Sequence, residues 1–469
     1  MATATSTTTI TPQAIGTRTD VEAFRARIEG TVITPGHDDY DEARRVADIT
    51  RNARPGVIVR AASAADVAES VRFAQEAGMQ IAVRSGGHSV AGFSAASDTL
   101  TIDVSRMKGI SIDPERRTAR VQSGATSGDL AGPAAAHGLA LTTGDASSVG
   151  LGGLVTGGGI GWMVRKYGLT IDNLLGAEVV TADGQIVRAS ASEHADLFWA
   201  IRGGGGNFGI ITEFEFQLAP VAQVLGGAVF LPATRDVIRG FLDWAAAAPE
   251  DMTAIAQLMR VPPAPFVPAE RVGELTLLVM PCWTGDIEEG QRVIAELRAL
   301  GEPIAEMVAP FPYPVMYQFT QEATNPHGVD IRSMFANTIS DAEIDAMIEA
   351  IGRGTATVNM VQIRGLGGAF GRVEPGATAF AHRDKKYMVS VLALWADAAE
   401  DAAPHRTWTR GLWEQIRGAA EGVYVNFLAE EPERLLEAYP QATYERLAEV
   451  KRAYDPDNVF TFNHNIRPR

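Results

Sequence analysis

The spacing of apolar residues predicts alternating strands and helices along residues 56–220. Apolar and polar residues alternate over 98–107, which is typical of a strand with one buried face. Residues 63–79 place apolar residues three and four positions apart behind Ser63, a typical helix N-cap, and predict an amphipathic helix. The segments "PGVIVRA" and "QIAVRSGGH" indicate two short strands, and "GISIDPERRTARVQSG" indicates a hairpin around Asp113.

From about residue 222 the pattern changes to longer apolar runs, such as "GGAVFLP", "ELTLLVM" and "YMVSVLALW", which alternate with amphipathic helices and proline-rich loops. The last segment, from about 411, is predicted to be helical and ends in "YDPDNVFTFNHNIRPR". These changes predict two domains, the second inserted between pieces of the first. We expect a polar N-terminal lead over 1–20, a first domain over 21–220, a second domain over 221–410 and a returning segment over 411–469.

Composition and charge exclude several classes of protein. The 469 residues carry a net charge of −16, which disfavours nucleic acid and anionic membranes as partners. No apolar run approaches the roughly 20 residues that span a bilayer. Cys282 is the only cysteine, so internal disulfides and cysteine-based metal sites are excluded, and its apolar surroundings predict a buried, inert thiol. The N-terminus lacks the basic and apolar regions of a secretory signal, and we expect a cytoplasmic protein.

Four glycine-rich turns stand out: "SGGHS", "GLGGLVTGGGIG", "RGGGGNFG" and "RGLGGAFG". The third contains GxGxxG over 204–209, but a dinucleotide site of that kind needs a strand before the motif and a helix after it. Here "SEHADLFWAI" predicts a helix before the motif and "GIITEFEFQL" predicts a strand after it. The motif is therefore not a nicotinamide-dinucleotide fingerprint.

Glycines also let backbone N–H groups approach a phosphate closely. Any one of these clusters could equally be an ordinary tight turn. Three of them within about 130 residues, in a chain without a metal motif, favour an extended phosphate-bearing cofactor.

Four segments carry a resemblance to a known family: "RSGGHS", "SVGLGGLVTGGGIGWMVRKYGLTIDNLLGAEVVTADG", "LFWAIRGGGGNFGIITEFEFQL" and "YDPDNVFTFNHNI". In this order they resemble the berberine-bridge-enzyme-like branch of the vanillyl-alcohol oxidase flavoproteins, most closely its bacterial members. The resemblance implies an α+β fold, with an FAD-binding domain, whose characteristic part spans about 54–220, and a substrate domain whose antiparallel sheet is covered by helices.

In that family, the histidine of "GGH" carries FAD covalently, and His88 stands at this position. Many relatives add a second bond from a cysteine, but Ala146 replaces it here, so the resemblance implies one tether, through His88 only. Val149 matches a small residue that admits dioxygen beside the flavin in oxidases, where dehydrogenases carry a bulkier leucine; a plain apolar packing role is the alternative. The residues expected to contact FAD are Arg84, Ser85, Gly86, Gly87, His88, Ser89, Gly144, Ser148, Val149, Gly153, Gly158, Gly159, Ile211, Tyr424 and Asn463.

The substrate side departs from the family pattern. In "ATVNMVQIRGLGG", Gln362 and Arg364 share one strand face, and the position of Arg364 is often a carboxylate in relatives. Phe427 replaces a tyrosine that serves with that carboxylate as a base in carbohydrate oxidases. Arg364 could bind an anionic group of the substrate or be a surface arginine at a strand end. If a base is needed, Tyr424 could supply it, as could the tyrosines of "PFPYPVMYQ", Tyr313 and Tyr317.

The resemblance therefore implies an FAD-dependent oxidase whose partners are a small-molecule substrate and dioxygen. It would take a hydride from a C–H next to nitrogen or oxygen and release hydrogen peroxide. The catalytic residues implied are Tyr424, Gln362, Arg364 and Val149. A carbohydrate or alcohol oxidase, a tailoring enzyme of secondary metabolism and a non-enzymatic flavin-binding protein are the alternatives. We expect a monomer or a homodimer.

Overall fold

The computed structural model describes residues 18–469, apart from the side chains of 18–20 and 322–324. Within this range the strands are β1 (Thr31–Ile33), β2 (Val57–Arg60), β3 (Ile81–Arg84), β4 (Leu100–Asp103), β5 (Ile110–Asp113), β6 (Thr118–Gln122), β7 (Leu139–Ala140), β8 (Leu174–Val180), β9 (Ile186–Ser190), β10 (Ile210–Gln217), β11 (Ala219–Pro220), β12 (Val224–Pro232), β13 (Met252–Arg260), β14 (Leu275–Trp283), β15 (Ala305–Phe311), β16 (Gly328–Ala336), β17 (Val358–Gly365) and β18 (Tyr387–Trp395).

The α-helices in the same range are α1 (Arg18–Arg25), α2 (Tyr40–Ala43), α3 (Ala64–Glu76), α4 (Ser127–Ala135), α5 (Leu151–Thr156), α6 (Val164–Tyr167), α7 (Ala195–Ala200), α8 (Arg235–Ala247), α9 (Ile287–Arg298), α10 (Asp341–Gly352), α11 (Ala369–Arg372), α12 (Ala403–Ile416), α13 (Leu435–Ala438) and α14 (Gln441–Tyr454). Mixed helices and largely antiparallel sheets make the fold α+β, as predicted. No helix in residues 18–469 is long and apolar enough to cross a membrane.

The first part of the chain forms two larger sheets and the short antiparallel pair β11-β7. One has the order β1-β2-β4-β3, in which β2, β4 and β3 are parallel, and α3 packs in the same apolar core. Ser63 caps α3 by accepting the N–H of Asp66, as the sequence predicted. The other sheet is antiparallel, with the order β5-β6-β10-β8-β9, and includes the predicted hairpin of β5 and β6.

The GxGxxG segment lies between α7 and β10, so a helix precedes the turn and a strand follows it. This confirms that the motif is not built as a dinucleotide site, because no helix N-terminus follows the glycines to meet a pyrophosphate.

The second part of the chain forms an antiparallel seven-stranded sheet with the order β15-β12-β14-β13-β17-β18-β16. Helices α8, α9, α10 and α12 pack on one face, where their apolar residues share a core with Val361 and Ile363 of β17. The residues of β17 that alternate with these, among them Gln362, therefore point to the opposite face. That face closes a large cavity.

Two predicted boundaries fall inside helices. Residues 1–17 of the predicted N-terminal lead lie outside the described residues, but Arg18 already begins α1. The expected boundary at 410 falls within α12, whose Leu412 and Ile416 are buried in the core of the seven-stranded sheet. Their apolar contacts hold this helix with the second part of the chain. The division into two domains at 220 stays a prediction.

Candidate active site

One cavity of about 860 Å³ lies between the glycine turns of the first sheets and the open face of the seven-stranded sheet. The predicted site residues that line it are Ser85, Gly86, Gly87, His88, Ser89, Gly144, Val149, Gly153, Ile211, Gln362, Arg364, Tyr424 and Asn463. Most of the predicted site residues thus line one cavity. They come from segments up to 378 residues apart, from Ser85 to Asn463.

The "SGGHS" turn leaves β3 and forms part of the cavity wall. The N–H groups of Gly86, Gly87, His88 and Ser89 donate to no acceptor among residues 18–469. The turn packs closely on Gly150: a Cβ added at Gly86 would lie 2.3 Å from the Gly150 nitrogen. Consecutive backbone N–H groups without protein acceptors form anion-binding concavities. The four free donors of this turn therefore fit a bound phosphate group.

The imidazole of His88 lies within this wall. Its Nε2 is 3.0 Å from Oγ of Ser148, which leaves Nδ1 without a protein partner in the described part of the chain. Burial, and secondarily the charge of His327, lower the pKa of His88 below its ordinary value. The ring is therefore neutral at neutral pH, with a lone pair available on one nitrogen. His327 is 239 positions away in sequence, and no local signal pointed to it.

Four of the predicted cofactor contacts do not line the cavity: Arg84, Ser148, Gly158 and Gly159. Arg84 is buried, donating to Asp103 Oδ2 at 2.5 Å and to the carbonyl of Arg45 at 3.0 Å, so it ties β3 to β4 instead. Ser148 contacts His88 instead and orients its ring, with Oγ 3.0 Å from Nε2.

Gly158 and Gly159 form a turn that receives Tyr424. The Gly159 N–H donates to the Tyr424 hydroxyl at 3.0 Å, and a Cβ at Gly159 would lie 2.1 Å from Oγ1 of Thr170. Gly159 also has φ of +80°, a conformation that side chains rarely adopt. This glycine cluster therefore positions a side chain and does not cradle a phosphate.

Tyr424 accepts a second hydrogen bond, from Nδ2 of Asn426 at 2.9 Å. Burial raises the pKa of Tyr424, and the two donors and the nearby charge of Arg364 offset that only in part. The phenol is therefore protonated at neutral pH. Because donors already occupy its oxygen, its own O–H hydrogen remains to be donated.

Arg364 is neither a surface residue nor a free cation. Its side chain is buried, 4% exposed, and Nη2 lies 2.5 Å from Oδ2 of Asp145. Its guanidinium also lies over the ring of Phe427, with 5.2 Å from Cζ to the ring centroid. The expectation that Arg364 awaits an anionic substrate is not supported, because a carboxylate of the protein already neutralises it. The alternative, a surface arginine at a strand end, is wrong because the residue is buried.

The other two tyrosines proposed as bases lie outside the cavity wall. Tyr313 and Tyr317 are buried in the apolar core, and the Tyr317 hydroxyl is 2.6 Å from Oγ1 of Thr143. Burial raises the pKa of both phenols. Cys282 is also buried away from the cavity, and burial raises the pKa of its thiol, which agrees with the predicted inert role.

Gln362 lines the cavity. It is 6% exposed, and its amide makes no hydrogen bond within residues 18–469. Gln257 lies directly opposite it on β13 and also lines the cavity. Sequence reasoning missed Gln257 and Asp145. Asp145 adjoins Ala146 in "GDASSVG", but only the fold shows that it faces Arg364.

Comparison with known proteins identifies the family of the chain. A family model described as an FAD binding domain matches residues 55–190, and one described as berberine and berberine like matches 423–467. (R)-6-hydroxynicotine oxidase of Paenarthrobacter nicotinovorans is 33% identical over 460 residues, covering 94% of this chain and 97% of that protein. The chain belongs to the berberine-bridge-enzyme-like family. It is an FAD-linked oxidoreductase with the vanillyl-alcohol-oxidase-type fold.

Solved structures of this family superpose on nearly the whole chain. 6-Hydroxy-D-nicotine oxidase from Arthrobacter nicotinovorans gives a TM-score of 0.83 at 31% identity, covering 94% of this chain and 98% of that one. Glucooligosaccharide oxidase from Acremonium strictum, which carries a 6-S-cysteinyl, 8α-N1-histidyl FAD, gives 0.85 at 25% identity, covering 96% and 99%.

The residues around the cavity fit FAD. The four free N–H groups of the 85–89 turn suit a pyrophosphate, and the buried Oδ1 of Asn463 is another polar atom without a protein partner. Gly153 leaves open space where a side chain would stand, since a Cβ there would meet nothing within 4 Å. Ala146 lines the cavity with no sulfur to offer a second bond.

Proposed function

We propose that the protein is an FAD oxidase, tethered through His88 only, that takes a hydride from a C–H next to nitrogen or oxygen of a small molecule. Bound FAD would supply the two-electron acceptor, and dioxygen would take two electrons and two protons to leave as hydrogen peroxide. The observation that carries the proposal is the position of His88. Its neutral imidazole is held by Ser148, beside four free N–H donors, at the wall of a cavity that continues under the seven-stranded sheet.

An amine-type C–H is the donor that this site favours. Removing hydride from an alcohol also requires removal of the O–H proton, whereas a neutral amine donates from its lone pair without a base. Phe427 has no proton to exchange, and Asp145 holds Arg364 in an ion pair. Tyr424 remains protonated, so its role in this proposal is to orient the substrate by donating a hydrogen bond.

Oxidation of an alcohol or carbohydrate is the second candidate, because the two hydrogen bonds that Tyr424 accepts would also stabilise a phenolate. We expect Tyr424→Phe to slow flavin reduction by less than about tenfold, since an amine needs no phenol base. Anaerobic stopped-flow reduction by a substrate found in an oxygen-uptake screen of amines, hydroxy acids and sugars measures this.

The matched control is Tyr439→Phe, which removes another buried hydroxyl, one that donates to the carbonyl of Gly203 at 3.0 Å. A loss of roughly 10²–10⁴-fold in Tyr424→Phe alone, with FAD content intact, would transfer the assignment to alcohol oxidation.

Substitution of Val149 tests whether dioxygen is the electron acceptor of the reduced flavin. Val149 lines the cavity three residues after Ala146, and its side chain is only partly buried. We expect dithionite-reduced wild-type protein to be reoxidised rapidly by air with release of hydrogen peroxide. Val149→Leu should slow this by about tenfold or more, because one methylene would fill the space beside the flavin, while substrate reduction stays nearly unchanged.

The control is Val149→Ala, which enlarges the same space and should not slow reoxidation. Slow reoxidation already in the wild type would show a dehydrogenase. Equal rates in wild type and Val149→Leu would show that oxygen enters elsewhere.

A cytoplasmic location and a monomeric or homodimeric state remain part of the proposal. They rest on the sequence expectations alone.

A further inference from the structure

The open face of the seven-stranded sheet is apolar where it meets the cavity. Four strands of the sheet, β12, β14, β13 and β18, contribute large hydrocarbon or thioether side chains to this wall: Phe230, Met259, Leu278, Met280, Leu392 and Leu394. Such a surface offers no hydrogen-bond partners to water or to a ligand. A polyhydroxylated molecule that binds there loses hydrogen bonds to water without replacing them.

The loop between β13 and β14 extends this apolar wall. Pro262, Pro263 and Phe266 line the cavity, and the Phe266 ring lies 6.0 Å from that of Phe230 between centroids. Phe319 adds a further ring from another segment and stacks on Phe311 at 6.0 Å. Several aromatic rings thus flank the space in front of the sheet, which suits a flat, apolar ligand.

Charged groups of the wall are already paired. Arg364 is bound to Asp145, and Asp48 is bound to Arg51 with 3.1 Å between Oδ2 and Nε. Burial lowers the pKa of His464 to about 4, so this imidazole is neutral at neutral pH. An ionised substrate would find no unpaired counter-charge among these groups and would lose its hydration.

The amides of Gln257 and Gln362 interrupt the apolar face. They are cross-strand partners on β13 and β17, both line the cavity, and neither side chain makes a hydrogen bond in the described part of the protein. Two neighbouring amides supply both donors and acceptors to one small polar group. The sheet face of the cavity is therefore apolar except for this amide pair and the neighbouring Arg364, which is already paired with Asp145.

We propose that the cavity takes an uncharged, predominantly apolar aromatic substrate whose single polar group is held by Gln257 and Gln362. This substrate class rests on the proposed oxidase function and narrows it, since oligosaccharides and carboxylates fit the wall poorly. The amide pair orients the molecule, and the apolar face holds the remainder next to the site of the flavin.

Three probes of defined chemistry test this on the FAD-loaded protein: naphthalene-2-carboxamide, its anionic isostere naphthalene-2-carboxylate, and cellobiose. Binding is measured anaerobically from changes in the flavin absorption spectrum, so no turnover is needed. We expect saturable binding of the carboxamide, with a Kd at least about tenfold lower than those of the other two.

Variants locate the binding. Leu392→Gln and Leu394→Gln, both at partly buried positions on the cavity face, should each weaken carboxamide binding by about tenfold. Gln257→Leu should reduce the preference for the carboxamide over 2-methylnaphthalene, which lacks the polar group. Leu436→Gln is the matched control: Leu436 is 52% exposed and lies outside the cavity wall, so binding should not change.

Equal or tighter binding of cellobiose or the carboxylate would overturn the proposal, as would carboxamide binding that is insensitive to all three cavity variants. Reoxidation of the reduced flavin by air distinguishes failure of the proposed substrate class from failure of the oxidase assignment. Rapid reoxidation without carboxamide binding rejects only the substrate class, whereas carboxamide binding with negligible reoxidation rejects only the oxidase.

Discussion

His88→Ala should abolish the covalent attachment of flavin. Acid-precipitated wild-type protein should stay yellow, and its tryptic peptide containing His88 should carry the mass of one FAD. The variant should release all its flavin into the acid supernatant, because the second tether of relatives is missing here: Ala146 has no nucleophile, and Cys282 is buried outside the cavity. Absorption spectra of pellet and supernatant, with peptide mass spectrometry, measure the result.

Ser148→Ala provides the graded control. Its hydroxyl lies 3.0 Å from Nε2 of His88, so removing it frees the ring to rotate while leaving the nucleophile in place. We expect slower, incomplete attachment when apoprotein is mixed with FAD, with Nδ1 as the bonded nitrogen. Flavin that leaves wild-type protein on acid precipitation, or an FAD mass on a peptide lacking His88, would contradict the single tether.

The "SGGHS" turn could be predicted because its signal is local. A strand, two glycines and a histidine follow one another in the chain, and the structure keeps them adjacent at the cavity wall. Alternation along β17 likewise placed Gln362 on the opposite face from Val361, since side chains of a strand alternate by geometry. Local periodicity therefore predicts which way a side chain points.

Pairing between distant segments could not be predicted in this way. Arg364 and Asp145 are 219 positions apart, and the sequence of neither segment indicates that a carboxylate neutralises this arginine. The same limit explains Gly159: its glycine-rich segment suggested a phosphate cradle, whereas its N–H donates to the hydroxyl of Tyr424, 265 positions away. Glycine permits close approach, but the approaching group is set by the tertiary fold.

The sequence pattern did not indicate the buried ion pair at the C-terminal end of α14. Lys451 and Asp455 both have fully buried side chains, with 2.5 Å between Nζ and Oδ2. Nζ also donates to the carbonyls of Asn207 at 2.8 Å and Phe460 at 3.0 Å. Asn207 and Phe460 both line the cavity, so one ammonium joins two parts of its wall.

Lys451→Met should therefore cost about 3–5 kcal/mol of unfolding free energy, because it leaves the carboxylate of Asp455 buried without a cation. Methionine retains most of the side-chain volume, so the loss is electrostatic and not a cavity effect. Burial lowers the pKa of Lys451, and the carboxylate of Asp455 opposes this. Nζ faces three acceptors, the Asp455 carboxylate and the two carbonyls, which matches the three donors of an ammonium. Urea unfolding followed by circular dichroism measures the change, and a fall in bound FAD should accompany it.

Lys386→Met is the matched control, since Lys386 is exposed and the same substitution there should change stability by less than about 0.5 kcal/mol. Lys451→Met with Asp455→Asn should recover part of the loss, because the amide removes the buried charge while its one oxygen keeps an acceptor for the N–H of either Val459 or Phe460. Wild-type stability in Lys451→Met would contradict the role of the pair. A loss that the double variant does not reduce would show that lost hydrogen bonds, and not the unpaired carboxylate, dominate.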